Sequence, residues 1–491
     1  MIQPHDFKLY IHGESVSATS GEIFPTYSPS TNQLIGNVQM ASLQDIEKAV
    51  QSAQDGFKTW SKMSGFQRGK ILKNAAEILR HQAKEIAHLE VLDNGKPISE
   101  VLSVDIPTAA DSLEYYGGLA ATLHGEHYDL GGSFAFTKRE PLGVCLGIGA
   151  WNYPLQIAAW KAAPALACGN SMIFKPSELS PLSVIRLAEI FTEAGLPPGV
   201  FNVIQGPRSV GEALCKHPAI RKVSLTGSVD TGIRVMEASA PTLKHITLEL
   251  GGKSPLIIFK DADLEQAVSA ALLGNFFTQG EICSNATRVF VEESVFSEFI
   301  DQTVARASRI KIGDPFDPQT QMGALISPAH LQKVQSFIQS GKEEGARLAC
   351  GGSFPQWESS QAHLRNGNFL TPTIFTHCHD AMKIVREEIF GPVMSVLTFQ
   401  SEEEVIQRAN QTSFGLAAGV FTQNLQKAYR VISQIQAGTC WINNYNITPV
   451  ELPFGGTKLS GIGRENGLAA IEHYSQLKSI YVEMNRIESP Y

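Results

Sequence analysis

Val144-Cys145-Leu146-Gly147-Ile148 is an apolar run of five residues, preceded by Gly143 and followed by Gly149-Ala150-Trp151-Asn152. A short apolar run between glycines reads as a fully buried strand. The elements C-terminal to it decide the fold. Leu155–Leu166 reads as a helix, Ser171–Phe174 as a strand and Leu182–Ala194 as a helix. Then come a strand at Phe201–Ile204, a short helix at Gly211–Lys216, a strand at Lys222–Leu225, a helix at Asp230–Ala238 and a strand at Ile246–Leu248. This alternation predicts a doubly wound parallel sheet. Ligands of such sheets bind outside the carboxyl ends of the strands. The chain places four polar or glycine-bearing stretches there: Gly149-Ala150-Trp151-Asn152, Lys175-Pro176-Ser177-Glu178, Thr226-Gly227-Ser228 and Glu249-Leu250-Gly251-Gly252.

A second alternating series runs from Pro255 to Ile442 and predicts a second α/β domain. Upstream, residues 8–39 read as short strands. Ser42 and Asp45 form a capping box for a helix, and two longer helices are expected over 66–92 and 98–123. Residues 132–140 and 478–484 alternate apolar and polar like exposed strands. Such edges are aggregation liabilities, so the two are expected to pair and to extend into a neighbouring subunit.

The 491 residues exceed one core, so two or three domains are expected. The net charge of −8 argues against the basic face of a nucleic-acid binder. Seven cysteines, with no C-x-x-C pair, suggest neither a disulfide framework nor a zinc site, and so a reducing compartment. Met1–Asp6 lacks the basic and apolar regions of a signal peptide. The apolar run Leu155–Cys168 contains Lys161 and Pro164 and is too short to span a bilayer. The chain is therefore expected in the cytoplasm, with no membrane or nucleic-acid partner.

Chemistry concentrates at a few places. Cys283 lies in a loop between the helical run Leu264–Phe277 and the strand Thr287–Val291, where a thiolate can be both rigid and reachable. A cysteine taken alone is more often a small buried hydrophobe. Glu249 ends an apolar strand, and burial would raise its pKa towards that of a general base. Asn152 can donate to an oxyanion. Gly227 and Ser228 open a helix whose N–H groups suit a phosphate, although the full six-residue glycine fingerprint is absent. Glu178 beside Lys175 suits a ribose diol and disfavours a 2′-phosphate.

Glu249-Leu250-Gly251-Gly252-Lys253-Ser254-Pro255 with Gly280-Glu281-Ile282-Cys283 resembles the paired signature of the aldehyde dehydrogenase superfamily. The resemblance continues in order through Trp151-Asn152-Tyr153-Pro154, Lys175–Glu178, Gly227–Gly232, Glu387–Pro392 and Pro453–Gly456. It implies an aldehyde dehydrogenase-like α/β fold. Residues 1–126 and 146–252 would form a Rossmann-type NAD domain and 253–440 a catalytic domain. Residues 127–145 and 470–491 would form a small β oligomerisation element, in a homo-oligomer that is a dimer of dimers. Cys283 would be the nucleophile, Glu249 the base for the hydrolytic water, and Asn152 part of the oxyanion hole. NAD would lie along Gly149, Ala150, Trp151, Lys175, Ser177, Glu178, Gly227, Ser228, Glu388 and Phe390.

Within the superfamily, Leu113–Tyr116, Lys138–Val144, Cys440–Asn443 and Ser460–Gly467 resemble the bacterial betaine aldehyde dehydrogenases. That group implies oxidation of betaine aldehyde to glycine betaine, an osmoprotectant, with Lys161 and Glu465 as charge-relay partners. It also implies a potassium ion held by Asp93, Leu243, Lys458 and Gly461. Tyr153, Trp160, Phe277, Phe454 and Glu451 stand at substrate positions, and aromatic faces and carboxylates are what recognise a quaternary ammonium. Thr457 and Asn446-Ile447-Thr448-Pro449 depart from the group, the latter towards trimethylaminobutyraldehyde dehydrogenases. An aminobutyraldehyde, a general aldehyde substrate or a non-catalytic structural role are the competing readings.

Overall fold

A computed structural model of the chain describes residues 5–491. The reading of Met1 to Pro4 lies outside the described residues. Five parallel strands form the centre of the first sheet. They lie side by side in the order Phe201–Val203, Ser171–Lys175, Val144–Ile148, Ile220–Thr226 and His245–Glu249. In chain order these are the third, second, first, fourth and fifth. The winding therefore reverses between Val144–Ile148 and Ile220–Thr226, and a crevice opens at that switch point. Leu9–Ile11 and Glu14–Val16 add antiparallel strands at one edge. Gly461–Ile462, from the far end of the chain, pairs antiparallel with His245–Glu249 at the other.

The second sheet has seven strands: Arg347–Cys350, Thr373–Thr376, Val393–Phe399, Arg288–Glu292, Pro255–Ile258, Ala417–Phe421 and Thr439–Ile442. Neighbours are parallel except the first pair. Arg347–Cys350 and Thr373–Thr376 have no counterpart among the strands expected from the sequence. They are four residues long, and the former is a partly exposed edge whose apolar run is only Leu348-Ala349-Cys350.

The Ser42/Asp45 capping box starts helix Leu43–Trp60 as expected. The helix expected over 66–92 is two, Gly65–His81 and Ala83–Asn94, broken at Gln82. The one expected over 98–123 slips into a π turn, Val101–Asp105, ahead of Ile106–Leu119. Pro107 has no N–H to donate, which explains why the hydrogen-bond ladder shifts register just before it.

Phe134–Pro141 and Ser475–Val482 pair antiparallel over eight residues, with His127–Asp129 alongside. The expected boundary at 145/146 falls inside strand Val144–Ile148, and the one at 440 inside Thr439–Ile442. Residues from 470 on begin with helix Ala469–Tyr474, whose Ala470, Ile471 and Tyr474 are buried in the core that also holds Leu155 and Ala162.

Asn170 ties these pieces together. Its Oδ1 accepts from the N–H groups of Leu142 (2.7 Å) and Gly143 (3.0 Å), and its Nδ2 donates to the carbonyl of Tyr474 (2.7 Å). Asn170→Ala would orphan three buried backbone groups, each costing roughly 1–3 kcal/mol. We expect a loss of at least about 3 kcal/mol, read as a lower urea midpoint in equilibrium unfolding. An unchanged midpoint would mean that this side chain does not hold the junction.

Candidate active site

The carboxyl ends of the first sheet's parallel strands border a cleft of about 790 Å³. A narrower tunnel of about 190 Å³ is lined by Tyr153, Gln156, Trp160, Phe277 and Phe454. Cys283, Asn152 and Glu249 line both. The structure thus gathers the three at the junction of a wide and a narrow cavity.

Cys283 sits between the 3₁₀ turn Phe277–Gly280 and strand Arg288–Glu292. Thr278, Gln279 and Gly280 are all left-handed (φ 49°, 54° and 74°). Gly280 is obligatory, because a Cβ there would collide with the Gly391 backbone. The thiol is half-buried. Burial first, then Glu249 and Glu388, push its pKa up to about 12, against the backbone N–H groups of Ser284 and Cys283 itself. At rest it is a thiol, and reaction requires that its proton leave.

Glu249 ends its strand buried, with no hydrogen-bond partner on either carboxylate oxygen. Burial and then the nearby Glu465 hold its pKa well above the usual carboxylate range, opposed by Lys161 and Arg464. Such a group can take up a proton near neutral pH. Lys161 and Glu465 form a buried ion pair at 2.8 Å. Ser224 Oγ accepts from Lys161 Nζ (3.0 Å) and donates to Glu465 Oε1 (2.9 Å). Asn152 Nδ2 donates to the carbonyl of Glu281 (2.9 Å). An amide has two N–H bonds, so one remains for the cavity.

The cleft gathers the expected cofactor residues. Gly149, Ala150, Trp151 and Ser177 line it. Lys175 Nζ lies 3.0 Å from Glu178 Oε1, and burial lowers the Lys175 pKa while Glu178 raises it back. Ser228 caps helix Val229–Ser239, its Oγ accepting from the Thr231 N–H (3.3 Å), with Gly227 just before it. Glu388 Oε1 accepts from the Gly252 N–H (3.0 Å), and a Cβ on Gly251 would collide with Glu388 Oε2. Phe390 stands edge-on to Trp151 at 5.2 Å and 87°. Two further residues carry no sequence signal of their own. His330 packs on Trp151 at 5.2 Å, with Nε2 2.7 Å from the Phe390 carbonyl. Ser224 joins the Lys161–Glu465 pair. Neither belongs to a motif, and each meets its partners only across long sequence separations.

In the tunnel, Trp160 meets Phe454 edge-on at 5.7 Å and 64°, and its indole N–H is buried without a partner. Tyr153 is partly occupied already. Its hydroxyl bonds Thr278 Oγ1 (2.7 Å), and Lys96 Nζ lies 3.6 Å from its ring centroid. Glu451 corrects the expectation: it is exposed and lies outside the tunnel lining. Hydration of its carboxylate is cheaper than burial.

The four expected cation residues do not converge. Gly461 pairs with Glu249 at the carboxyl end of strand His245–Glu249, while Leu243 precedes its amino end. At about 3.3 Å per residue these are roughly 20 Å apart. Leu243 is 90% exposed. Lys458 is exposed too, with Nζ on the carbonyls of Asn410 and Thr412 (both 3.2 Å). Asp93 is buried, with Oδ2 accepting from the Leu182 N–H (2.9 Å) and Oδ1 unpartnered. A single ion needs its ligands within one coordination shell, so these residues form no common site.

A half-buried thiol, a partnerless carboxyl and an amide donor meet at the switch point of one α/β sheet that faces a second, an arrangement suited to an enzyme that works through a covalent intermediate. Residues 16–480 match the model of the aldehyde dehydrogenase family, and the chain belongs to that family. It is 54% identical over 482 residues to a betaine aldehyde dehydrogenase of Mesorhizobium japonicum, covering 98% of each chain. Among solved structures, an NAD+ complex of an aldehyde dehydrogenase from Bacillus cereus superposes with a TM-score of 0.95 at 41% identity, covering 98% of this chain and 97% of that one. A betaine aldehyde dehydrogenase from Staphylococcus aureus in complex with NAD+ gives 0.95 at 38%, covering 99% and 96%.

Glu249 raises the Cys283 pKa by repulsion. Glu249→Gln removes that charge, so more thiolate is present wherever the Glu249 carboxyl would be ionised. Alkylation of Cys283 by iodoacetamide at pH 8 should become faster, with its pH midpoint moved down. Slower alkylation would instead identify Glu249 as the base that activates the thiol.

Proposed function

We propose that the protein oxidises betaine aldehyde to glycine betaine with NAD. The observation that carries this reading is the junction of the wide cleft and the aromatic tunnel at Cys283, Asn152 and Glu249. The name of the Mesorhizobium relative supports the substrate, and the NAD+ complexes of the two structural neighbours support the cofactor. The residues in the cleft fit that cofactor. The N-terminus of helix Val229–Ser239, with Gly227 and Ser228, suits a pyrophosphate. Lys175 and Glu178 suit the adenosine ribose diol, and Glu178 disfavours a 2′-phosphate there. Glu388 suits the second ribose. NAD bound there supplies the hydride acceptor.

The chain's own residues do the rest. Cys283 loses its thiol proton to water of the open cleft and attacks the aldehyde carbon as the thiolate, and the free Asn152 N–H with the Cys283 backbone N–H stabilises the oxyanion. Loss of hydride leaves a thioester on Cys283. Glu249 takes a proton from water, whose oxygen attacks the thioester carbon, the C–S bond breaks to release the acid and the Cys283 thiolate, and the Glu465 carboxylate, paired with Lys161, receives the proton from Glu249. A trimethylammonium head has no N–H to donate, so the faces of Trp160, Phe277 and Phe454 recognise it.

In this reading the eight-stranded sheet carries NAD, and the seven-stranded sheet belongs to the catalytic domain. The strands Phe134–Pro141 and Ser475–Val482, with Leu477 and Tyr481 exposed, join a homo-oligomer, a dimer of dimers. No helix among the described residues is long and apolar enough to cross a membrane, and we place the protein in the cytoplasm. The potassium reading narrows to Asp93 and its unpartnered oxygen.

NADH formation across a panel of aldehydes tests the proposal. Betaine aldehyde should give the highest kcat/KM. Trp160→Ala should raise its KM by about tenfold, a loss of ~1.4 kcal/mol. A neutral aldehyde of similar length should be affected much less. A wild-type preference for the neutral aldehyde, or equal losses for both, would leave the family activity but overturn the substrate.

A further inference from the structure

Beside the nucleophile lies a buried ionisable cluster that the mechanism above does not use. Glu100 ends the short helical turn Ile98–Glu100, directly before the π turn Val101–Asp105. Its carboxylate is buried and accepts three hydrogen bonds, all from Thr278. The Thr278 N–H reaches Oε2 (3.0 Å) and Oε1 (3.3 Å), and the Thr278 hydroxyl reaches Oε2 (3.0 Å). Thr278 and its neighbour Gln279 are both non-glycine residues in the left-handed region, at φ 49°, ψ 43° and φ 54°, ψ 22°. A β-branched residue there is strained and stays only where its surroundings hold it.

We infer that Glu100 is a positioning residue for Cys283, acting by clamping Thr278 in its left-handed conformation and so fixing the start of the loop that carries the thiol. The inference rests on Cys283 as the nucleophile, but not on the identity of the aldehyde. Two liabilities offset each other here: a buried carboxylate that needs donors, and a strained turn that needs an anchor. The neighbouring groups extend the clamp. Tyr153 donates its hydroxyl to Thr278 Oγ1 (2.7 Å). Lys96 lies over the Tyr153 ring and pairs with Asp105 Oδ2 at 2.6 Å. The extra residue of the π turn sits between Glu100 and Asp105 and sets the register that serves both contacts. On the other side, Gln279 Oε1 accepts from the Gly323 N–H (3.1 Å), and Glu281 Oε1 from the Ile326 N–H (3.0 Å). Those bonds hold the loop beyond Thr278; at Thr278 itself, Tyr153 meets Oγ1 and the Glu281 N–H meets the carbonyl (2.8 Å), while the N–H is held by Glu100.

The test compares Glu100→Ala, Glu100→Gln and Glu100→Ala/Thr278→Gly in the full-length enzyme. The readouts are the pre-steady-state NADH burst with any accepted aldehyde, alkylation of Cys283 by iodoacetamide, and the Kd for NAD. Glu100→Ala should slow the burst by about tenfold or more, because a small displacement of the reacting atom is costly, and should change the alkylation rate while the NAD Kd stays unchanged. Glu100→Gln, which can still accept from the Thr278 N–H, should stay within about threefold of wild type. Thr278→Gly in the Glu100→Ala background should restore most of the burst, because glycine takes positive φ without strain. A purely structural role for Glu100 would not be rescued by glycine at a different position. A wild-type burst in Glu100→Ala, or no recovery on adding Thr278→Gly, would overturn the inference. If Glu100→Ala alone fails to fold, the double variant should recover soluble, active enzyme, and its failure to do so would count against the clamp in the same way.

Discussion

One hydrogen bond, from Asn152 Nδ2 to the Glu281 carbonyl at 2.9 Å, joins the parts on which the chemistry depends. Asn152 follows the first strand of one sheet, and Glu281 stands two residues before the thiol that leads into the other sheet. Neither sheet alone holds a working site. The bond sets Cys283 against the carboxyl ends of the first sheet's strands, where Glu249 already points from the fifth. The left-handed run Thr278–Gly280 makes the reach possible, and Gly280 passes the Gly391 backbone at a distance no side chain would allow.

The electrostatics of this seam stem from its burial. Carboxylates are costly to bury, and nearly all of those here are matched to donors: Glu388 to the Gly252 N–H, Glu281 to the Ile326 N–H, Glu100 to Thr278, Glu465 to Lys161 and Ser224. Glu249 is the exception, with both oxygens unpartnered. A carboxyl left unmatched among matched neighbours destabilises the fold locally and is thereby able to change protonation during a reaction. Burial first, and then repulsion by Glu249 and Glu388, keeps Cys283 protonated at rest. A protonated thiol is a poor nucleophile, so reactivity waits on the arrangement around it rather than on the cysteine alone.

Much of this was legible along the chain, because it depends on local spacing. The strand–helix alternation after Val144, the Ser42/Asp45 cap, the loop position of Cys283 and the strand-end position of Glu249 all arise from residues a few positions apart. Periodicity and turn chemistry act over that range. The family resemblance, carried by short contiguous motifs, was legible for the same reason.

The remainder depended on contacts that no local pattern encodes. Ser224 meets Glu465 across 241 residues and Glu100 meets Thr278 across 178. The strand order, the capture of Gly461–Ile462 by the first sheet and the burial of helix Ala469–Tyr474 are equally distant pairings. The four cation residues looked like one set in sequence and proved to be spread across the fold, and Glu451 proved to face water. Apolar spacing states that a face will be buried but not against what. The partner is chosen only when the whole chain closes and each buried charge must find its donor.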